Sequence, residues 1–342
     1  MKLGLMLGYW FGGPPDGLAD QVAEAERLGF DSLWTAEAYG SDCFTPLAWW
    51  GAATERLRLG TSVCQISART PTAAAMSALT LDHLTGGRMA LGLGASGPQV
   101  VEGWYGQPYP KPLARTREYV EIVRRVLARD EPLEFQGEHY QVPHPGGAGL
   151  GKPLKSITHP LRADLPILLG AEGPKNVALA AEIADGWLPI FLSPKTDGHY
   201  RQCLAEGFAR PGARRTLADF EIPTHVQVVV DDDVETAADV VRMSLGFYIG
   251  GMGAREVNFH ANVFARMGYE GEVAKIQELF LAGHRDEAFA AVPLALVRDV
   301  ALVGPWDTIR GELEAWHETV ITTLVVNGPP PFLRKMAELV LS

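Results

Sequence analysis

The 342-residue sequence has few cysteines and no long apolar run. Its three cysteines, Cys43, Cys64 and Cys203, are odd in number and far apart, which argues against a disulfide framework and favours a reducing, cytoplasmic environment. No eighteen consecutive residues are apolar, so the sequence predicts no membrane-spanning helix. The apolar start of the chain lacks an A-x-A-like cleavage site and is interpreted as a first strand, not as a signal peptide.

Positive charge is also scarce. With 30 basic and 41 acidic residues, the chain has a formal net charge of −11 at pH 7. Such a surface repels phosphate backbones and anionic lipid, so we expect neither nucleic acid nor a membrane as a partner. Hydrophobic residues make up 47% of the chain and charged residues 21%, which is the ordinary balance of a globular enzyme. We therefore expect the partner to be a small-molecule substrate.

Several catalytic signatures are missing. The nine histidines include no H-E-x-x-H spacing and no close His/Cys pair, so the sequence predicts no metal site. G-x-S-x-G is absent, which removes the usual signal of an α/β-hydrolase nucleophile. The acidic run at residues 231–233 is better explained as a turn and helix N-cap before Val234 than as a metal site.

The chain does have a regular alternation of short apolar strands and amphipathic helices. Strands without period-two alternation indicate a parallel sheet that is buried on both faces. Eight such units favour a closed (β/α)8 TIM barrel over an open doubly wound sheet, which usually has fewer strands. The predicted strands are residues 2–7, 32–34, 56–61, 89–94, 166–169, 186–190, 220–230 and 321–326.

Two segments interrupt this alternation. Residues 133–165 combine a predicted hairpin with a stretch rich in glycine and proline. Residues 234–302 are predicted to be mostly helical, with a glycine-rich break at residues 250–253. We interpret them as insertions after the fourth and the seventh strand of a single domain that covers residues 1–342.

In a TIM barrel the functional residues lie on the loops that follow the strands. The loop after the fifth strand, residues 170–173, leads directly into a helix with Pro174 at its first position. Free backbone N–H groups at such a helix N-terminus predict an anion site, most suitably for phosphate, and Lys175 adds positive charge. A plain turn between strand and helix is the alternative interpretation.

Two further loops carry candidate residues. Residues 92–97 match G-x-G-x-x-G, but the following helix is interrupted, so a glycine-rich loop that admits a flat ligand is favoured over a dinucleotide fingerprint. Glu37 follows the second strand and is the candidate catalytic residue, as a proton donor or acceptor. A salt-bridge partner is its alternative role. A glycosidase would need a second facing carboxylate, and only Glu37 is well placed for that.

Several segments resemble the luciferase-like monooxygenase superfamily, and in particular its oxidoreductases that depend on the deazaflavin coenzyme F420. The resemblance covers nearly the whole chain, and branches that use flavin mononucleotide (FMN) share most of its motifs. They are AEAERLGFDSLW (residues 23–34), LGTSV (59–63), LTLDHLTGGR (79–88), REY (117–119), LGAEGP (169–174) and ADGW (184–187).

The resemblance implies that the cofactor ring lies across the C-terminal mouth of the barrel. It places a non-proline cis peptide behind the ring, a phosphate-binding turn after the fifth strand, and the fourth loop beside the cofactor tail. Glu37 falls where sugar-phosphate-oxidising relatives carry an Asp-His pair, so the histidine base is missing here. The implied cofactor-binding residues are Ser62 and Val63 (the cis peptide), Ser96, Gly97, Gly170, Ala171, Glu172, Gly173 and Lys175.

The function implied by this resemblance is hydride transfer between C5 of coenzyme F420 and an organic substrate. Tyr9, Trp10 and Trp104 are expected to line an aromatic substrate pocket, and the resemblance suggests a homodimer. The alternatives are an FMN-dependent monooxygenase and a flavin-binding barrel without catalytic activity.

Overall fold

Eight short parallel strands form the centre of the protein. The structure is a computed structural model that describes residues 1–253 and 258–341. The strands pair in the order β7-β8-β1-β2-β3-β4-β5-β6, and every pair is parallel. Their bounds are β1 (Lys2–Gly8), β2 (Ser32–Thr35), β3 (Arg58–Thr61), β4 (Met89–Gly94), β5 (Ile167–Gly170), β6 (Gly186–Leu188), β7 (Pro223–His225) and β8 (Thr323–Val326).

The ring of strands is nearly closed, and the two ends meet between β6 and the residues before β7. The backbone N–H of Trp187 donates to the carbonyl oxygen of Glu221 at 2.8 Å, and the N–H of Glu221 donates to Asp185 at 3.1 Å. Gly186 and Glu221 form a parallel bridge at this point. The predicted TIM barrel is therefore confirmed.

Helices follow the strands along the chain. The N-cap predicted from the acidic run is confirmed, because the Asp233 side chain accepts the N–H of Glu235 at 3.1 Å. A 3₁₀ turn (Pro194–Thr196) and a π turn (Ala265–Tyr269) accompany the helices. The described helices are α1 (Leu18–Leu28), α2 (Phe44–Gly51), α3 (Pro71–Leu84), α4 (Pro98–Gly103), α5 (Pro112–Ala128), α6 (Pro174–Ile183), α7 (Asp197–Phe208), α8 (Val234–Gly250), α9 (Phe259–Phe264), α10 (Glu270–Leu281), α11 (Arg285–Ala290), α12 (Leu294–Val300), α13 (Trp306–His317) and α14 (Pro330–Val340).

One indole ring dominates the interior of the barrel. Trp34 on β2 is 1% exposed and packs in a cluster contributed by β4, β5, β8 and the end of β6. Its Nε1 donates to the Ser32 hydroxyl at 2.9 Å, so its polar atom is satisfied inside the apolar lumen. A Cβ atom at Gly60 on the neighbouring strand would lie 2.2 Å from Cζ3 of Trp34. Glycine at position 60 therefore makes room for the ring.

The predicted seventh strand, residues 220–230, is wrong in extent. Only β7 belongs to the barrel, and residues Gln227–Val230 form a separate two-stranded parallel sheet with Ala301–Gly304. The N–H of Val226 still donates to Val325 of β8 at 3.0 Å, so the chain leaves the barrel immediately afterwards. Both parts of this segment have residues that are typical of strands, so its composition does not mark the change of partner.

The two insertions have the predicted character. In the first, Phe135–Gln136 pairs antiparallel with Gln141–Val142, as expected for a hairpin. The second holds helices α8 to α12, which enclose a hydrophobic cluster separate from that of the barrel. The predicted glycine-rich break at residues 250–253 follows the end of α8. The organisation of the chain as one domain stays a prediction.

In the described part of the chain, no helix combines the length and the apolar character that crossing a membrane requires.

We expect Gly60→Ala to lower the free energy of unfolding by about 3 kcal/mol, because the added methyl group would overlap the enclosed ring of Trp34. Urea denaturation followed by tryptophan fluorescence measures this change. The matched control is Gly12→Ala, because a Cβ atom there meets nothing within 4 Å and should change stability by less than about 0.5 kcal/mol. Equal stability of the two variants would contradict this account of the lumen.

Candidate active site

The peptide bond between Ser62 and Val63, just after β3, lies at the floor of the barrel mouth. This bond is cis, as the sequence predicts. The Val63 side chain packs on the cluster around Trp34. Its methyl groups lie over two strand-end glycines, since a Cβ atom at Gly94 would be 2.4 Å from Cγ2 and one at Gly170 would be 2.9 Å from Cγ1. The floor is thus an apolar surface that the barrel interior supports from below.

The turn after β5 is held on one side by a hydrogen bond to β6 and is open on the other side, at Gly173. The carbonyl oxygen of Ala171 accepts the indole N–H of Trp187 at 2.7 Å, which anchors the turn to β6. Gly173 is the N-cap of α6, and Pro174 occupies the first turn. The backbone N–H groups of Gly173 and Lys175 have no acceptor among the described residues. A Cβ atom at Gly173 would meet nothing within 4 Å, so an anion can approach these donors.

Glu172, the middle residue of this turn, points into the second insertion. Its Oε1 lies 2.7 Å from Nδ1 of His260 on α9, and its carbonyl oxygen accepts Nη2 of Arg266 at 3.0 Å. Sequence reasoning missed His260 and Arg266. They follow Glu172 by about ninety residues and lie in a segment whose only signal was its helical pattern. The insertion therefore holds the turn at two points.

Two other predicted cofactor residues lie on the loop after β4. Ser96 has a left-handed backbone (φ 60°), and its carbonyl oxygen accepts the Tyr109 hydroxyl at 2.8 Å. The ring of Phe259 approaches Gly97, because a Cβ atom there would be 3.4 Å from Cε1. The second insertion thus reaches the fourth loop as well as the fifth.

Lys175, predicted to add charge to the anion site, lines a groove on the outside of the barrel. This groove has a volume of about 290 Å³ and runs between α5 and α6, with Arg117 and Arg210 also in its wall. Both arginines pair with Glu182, whereas Lys175 has no ion-pair partner among the described residues. A contribution of its ammonium group to anion binding stays a prediction.

Glu37, the predicted catalytic residue, is 6% exposed, and both of its carboxylate oxygens accept hydrogen bonds. Its carboxylate accepts two hydrogen bonds from the Arg69 guanidinium, at 2.5 and 3.0 Å. It also accepts the backbone N–H groups of Gln65, at 2.8 Å, and of Cys43, at 3.3 Å. Burial would lower the pKa of Arg69, but the hydrogen bond to Glu37 outweighs it and keeps the guanidinium charged. The pair joins the second and third loops to the start of α2.

Two thiols complete this cluster. One ligand atom each from Glu37, Cys43 and Cys64 lies within 4.8 Å of the others, a spacing that a metal ion could bridge. Nη1 of Arg69 lies among them, 2.9 Å from Sγ of Cys64. Burial raises the pKa of the Cys43 thiol, so this thiol is neutral. The guanidinium therefore supplies the positive charge that balances the carboxylate.

Aromatic side chains from three loops lie around the mouth. Trp104, from the fourth loop, lies beside Tyr39 of the second loop, with 6.5 Å between ring centroids. Tyr9 and Trp10 come from the first loop, and the N–H of Trp10 donates to Ser41 at 3.1 Å. The structure thus brings the predicted pocket residues to one end of the barrel and adds Tyr39, which sequence reasoning missed.

Two tyrosines in this region stay protonated. The Tyr105 hydroxyl donates to the carbonyl oxygen of Ala38 at 2.8 Å. Burial raises the pKa of Tyr105 to about 12. Burial also raises the pKa of Tyr248 on α8, whose phenol interacts with Tyr9, Tyr39 and Glu172. The wall of the mouth therefore presents neutral, largely apolar groups to a ligand.

Comparisons with known proteins agree with this geometry. The chain is 59% identical over 343 residues to a putative coenzyme F420-dependent oxidoreductase of Mycobacterium tuberculosis, with 99% of each chain covered. Its fold matches the coenzyme F420-dependent tetrahydromethanopterin reductase from Methanopyrus kandleri with a TM-score of 0.77 at 22% identity, over 99% of this chain and 98% of the other.

An F420-dependent secondary alcohol dehydrogenase, solved in complex with an F420-acetone adduct, also matches with a TM-score of 0.77, at 18% identity over 99% of this chain and 98% of the other. At these identities the two structures show the fold alone. The family model described as luciferase-like monooxygenase matches residues 3–323. With this match over most of its length, the chain belongs to the luciferase-like monooxygenase family.

Proposed function

We propose that this protein is an oxidoreductase that uses coenzyme F420 to transfer a hydride to or from a small organic substrate. The observation that carries the proposal is the 59% identity over the whole chain to a relative named as a putative F420-dependent oxidoreductase. Two features of the mouth support it independently. They are the apolar floor at Val63 and the open, donor-rich turn at Gly173.

The residues present fit such a cofactor. Val63 and the strand-end glycines around it offer a surface for a flat ring, and the backbone N–H groups of Gly173 and Lys175 offer donors for its phosphate. Ser96 and Gly97 lie on the loop that follows Gly94, the glycine in contact with Val63. When bound, the deazaflavin supplies a carbon, C5, that gives or accepts a hydride.

The protein contributes positioning and the exclusion of water. Tyr9, Trp10 and Trp104 come from separate loops and can hold an apolar substrate over the floor. Orientation of this kind lowers the entropy cost of bringing two reactants together, and an apolar wall strengthens the electrostatic contacts inside it.

We expect the protein to bind F420 at least about tenfold more tightly than FMN, which corresponds to about 1.4 kcal/mol. Fluorescence titration with both cofactors measures the two dissociation constants. Tighter binding of FMN would favour the monooxygenase alternative. Binding of neither cofactor would contradict the proposed function.

The same titration tests the phosphate turn. Gly173→Val should weaken F420 binding by about tenfold or more, because the side chain fills the open space in front of the donors. The fold should tolerate it, since nothing lies within 4 Å of that Cβ. Gly271→Val, in the first turn of α10, is the matched control with equally open surroundings. Equal F420 affinities of the two variants would place the phosphate elsewhere.

For Glu37 we propose a structural role, as the anchor of Arg69, over the catalytic role that the sequence also allows. A general acid or base needs an oxygen that can reach the substrate, whereas both oxygens of Glu37 already accept hydrogen bonds. Glu37 also contacts the loop that contains the cis peptide, because its backbone N–H donates to the carbonyl oxygen of Val63 at 3.4 Å.

Glu37→Gln should therefore lower the free energy of unfolding by about 3 kcal/mol, because it leaves the partly buried charge of Arg69 without its partner. Chemical denaturation measures the loss. The pH dependence of turnover separates the two roles. An unchanged pH profile supports the anchor, and loss of one limb of the profile would show that Glu37 titrates during the reaction.

A homodimer and a cytoplasmic location are also part of this proposal. Trp49 on α2 and Met76 and Leu84 on α3 are large apolar side chains that are 72%, 61% and 74% exposed, on helices that pack side by side. We expect a second copy to cover this surface. Sedimentation analysis should give a dimer for the wild type and a monomer for Trp49→Glu, and a monomeric wild type would contradict the expectation.

A further inference from the structure

Glu172 is a negative charge inside the turn that we propose for the cofactor phosphate. Its side chain is 12% exposed, and its Oε1 lies 2.7 Å from Nδ1 of His260, whose side chain is 11% exposed. Oε2 of Glu172 and Nδ1 of His260 are both buried, and neither makes a hydrogen bond with the described residues, so the 2.7 Å contact is a close approach of two polar groups without hydrogen-bond alignment. A carboxylate in this position repels a second anion, and water screens little of that repulsion. The turn therefore needs a compensating positive charge when a phosphate is present.

Apart from Glu172, the described residues that surround His260 present aromatic rings to it. Phe191, Tyr248 and Phe259 surround the imidazole, with 6.1, 5.0 and 4.6 Å between ring centroids. The loop after β6, helix α8 and helix α9 thus present apolar or neutral groups to it, because burial raises the pKa of Tyr248.

Among the residues that the structure describes, the π turn contributes the permanent cation that contacts Glu172. Arg266 donates to the carbonyl oxygen of Glu172 and interacts with the hydroxyl of Tyr200, so it does not bind the Glu172 carboxylate. Among the described residues, His260 is therefore the basic group that contacts this carboxylate. Histidine is the residue that gains or loses its charge near neutral pH.

We propose that His260 takes up a proton when the cofactor phosphate binds at the Ala171–Glu172–Gly173 turn. The imidazolium then lies against the Glu172 carboxylate and offsets it at the moment a second anion arrives. This inference rests on the proposed function, since it needs a phosphate at that turn. By linkage, an anion that favours protonated His260 must itself bind more tightly when His260 is protonated.

Isothermal titration calorimetry of F420 binding, at one pH in buffers of different ionisation enthalpy, counts the protons that are taken up. At pH 7 we expect the wild type to take up at least roughly 0.3 proton more than His260→Gln. Protons that the cofactor itself gains or loses are common to both proteins and cancel in this difference. The matched control is His284→Gln, because His284 also lies 2.7 Å from a glutamate, Glu287, but on exposed helix α11. It should behave as the wild type.

The pH dependence of the F420 dissociation constant gives a second readout. The affinity of the wild type should fall by about tenfold more than that of His260→Gln between pH 6 and pH 8.5. Glu172→Gln removes the repelling charge, so it should bind F420 more tightly than the wild type at pH 8.5. A merely structural role predicts the opposite, since loss of the contact would loosen the turn and weaken binding at every pH.

The outcomes separate this inference from the proposed function. Tight F420 binding with equal proton uptake by the wild type and His260→Gln overturns the inference alone. Weaker binding by Glu172→Gln at pH 8.5 also overturns it, even where His260→Gln fails to fold. Absence of F420 binding by the wild type at every pH overturns both.

Discussion

The packing of Trp34 inside the barrel is the constraint on which the rest of the mouth depends. A short parallel barrel has room for few side chains, and here one indole occupies much of that space. Its neighbours must therefore be small where the ring passes, as at Gly60, and apolar elsewhere, as at Leu168 and Val325. Val63 packs on this cluster and is only partly buried, so it lies at the top of the packed residues. The height of the floor is thus set by the packing below it.

The mouth is assembled on this floor by contacts between loops that are distant in sequence. The pair of Glu37 and Arg69 holds the second and third loops together, while Trp187 fixes the turn after β5 from below. The second insertion then approaches the same turn from the other side through His260 and Arg266. Each of these loops therefore has a contact whose partner is on a different βα unit. We therefore expect a substitution that displaces one of these loops to displace the loops that it contacts as well.

Sequence reasoning predicted the elements whose causes are local. Eight apolar runs predicted the barrel. The glycines and the proline around residue 173 predicted the open helix N-terminus. Both patterns depend on adjacent residues, which a sequence shows directly. The extent of the seventh strand was wrong, since residues 220–230 are typical of a strand throughout although two different sheets share them. The partners of Glu37 and Glu172 were also missed. Arg69 and His260 are brought to them by tertiary packing, which no periodicity in the chain reports.

The buried carboxylates of this protein differ in the residue that neutralises them, and Asp185 is paired with arginines. Asp185, just before β6, accepts the N–H of Ile167 at 2.9 Å and pairs with Arg124 and Arg215. Burial would raise its pKa, but the Arg124 guanidinium and that N–H outweigh burial and hold the pKa of Asp185 below its usual value. It lies at the end of the barrel opposite the mouth, where residues serve stability.

Glu37 follows the same rule, since its partner is also an arginine. An arginine keeps its charge at any physiological pH, so these two pairs are fixed. Glu172 is paired instead with a histidine, whose charge depends on its surroundings. Of these three carboxylates, the one beside the proposed phosphate site is the one that contacts a histidine. Permanent ion pairs hold the frame of the barrel, and a titratable pair lies where a charged ligand would arrive.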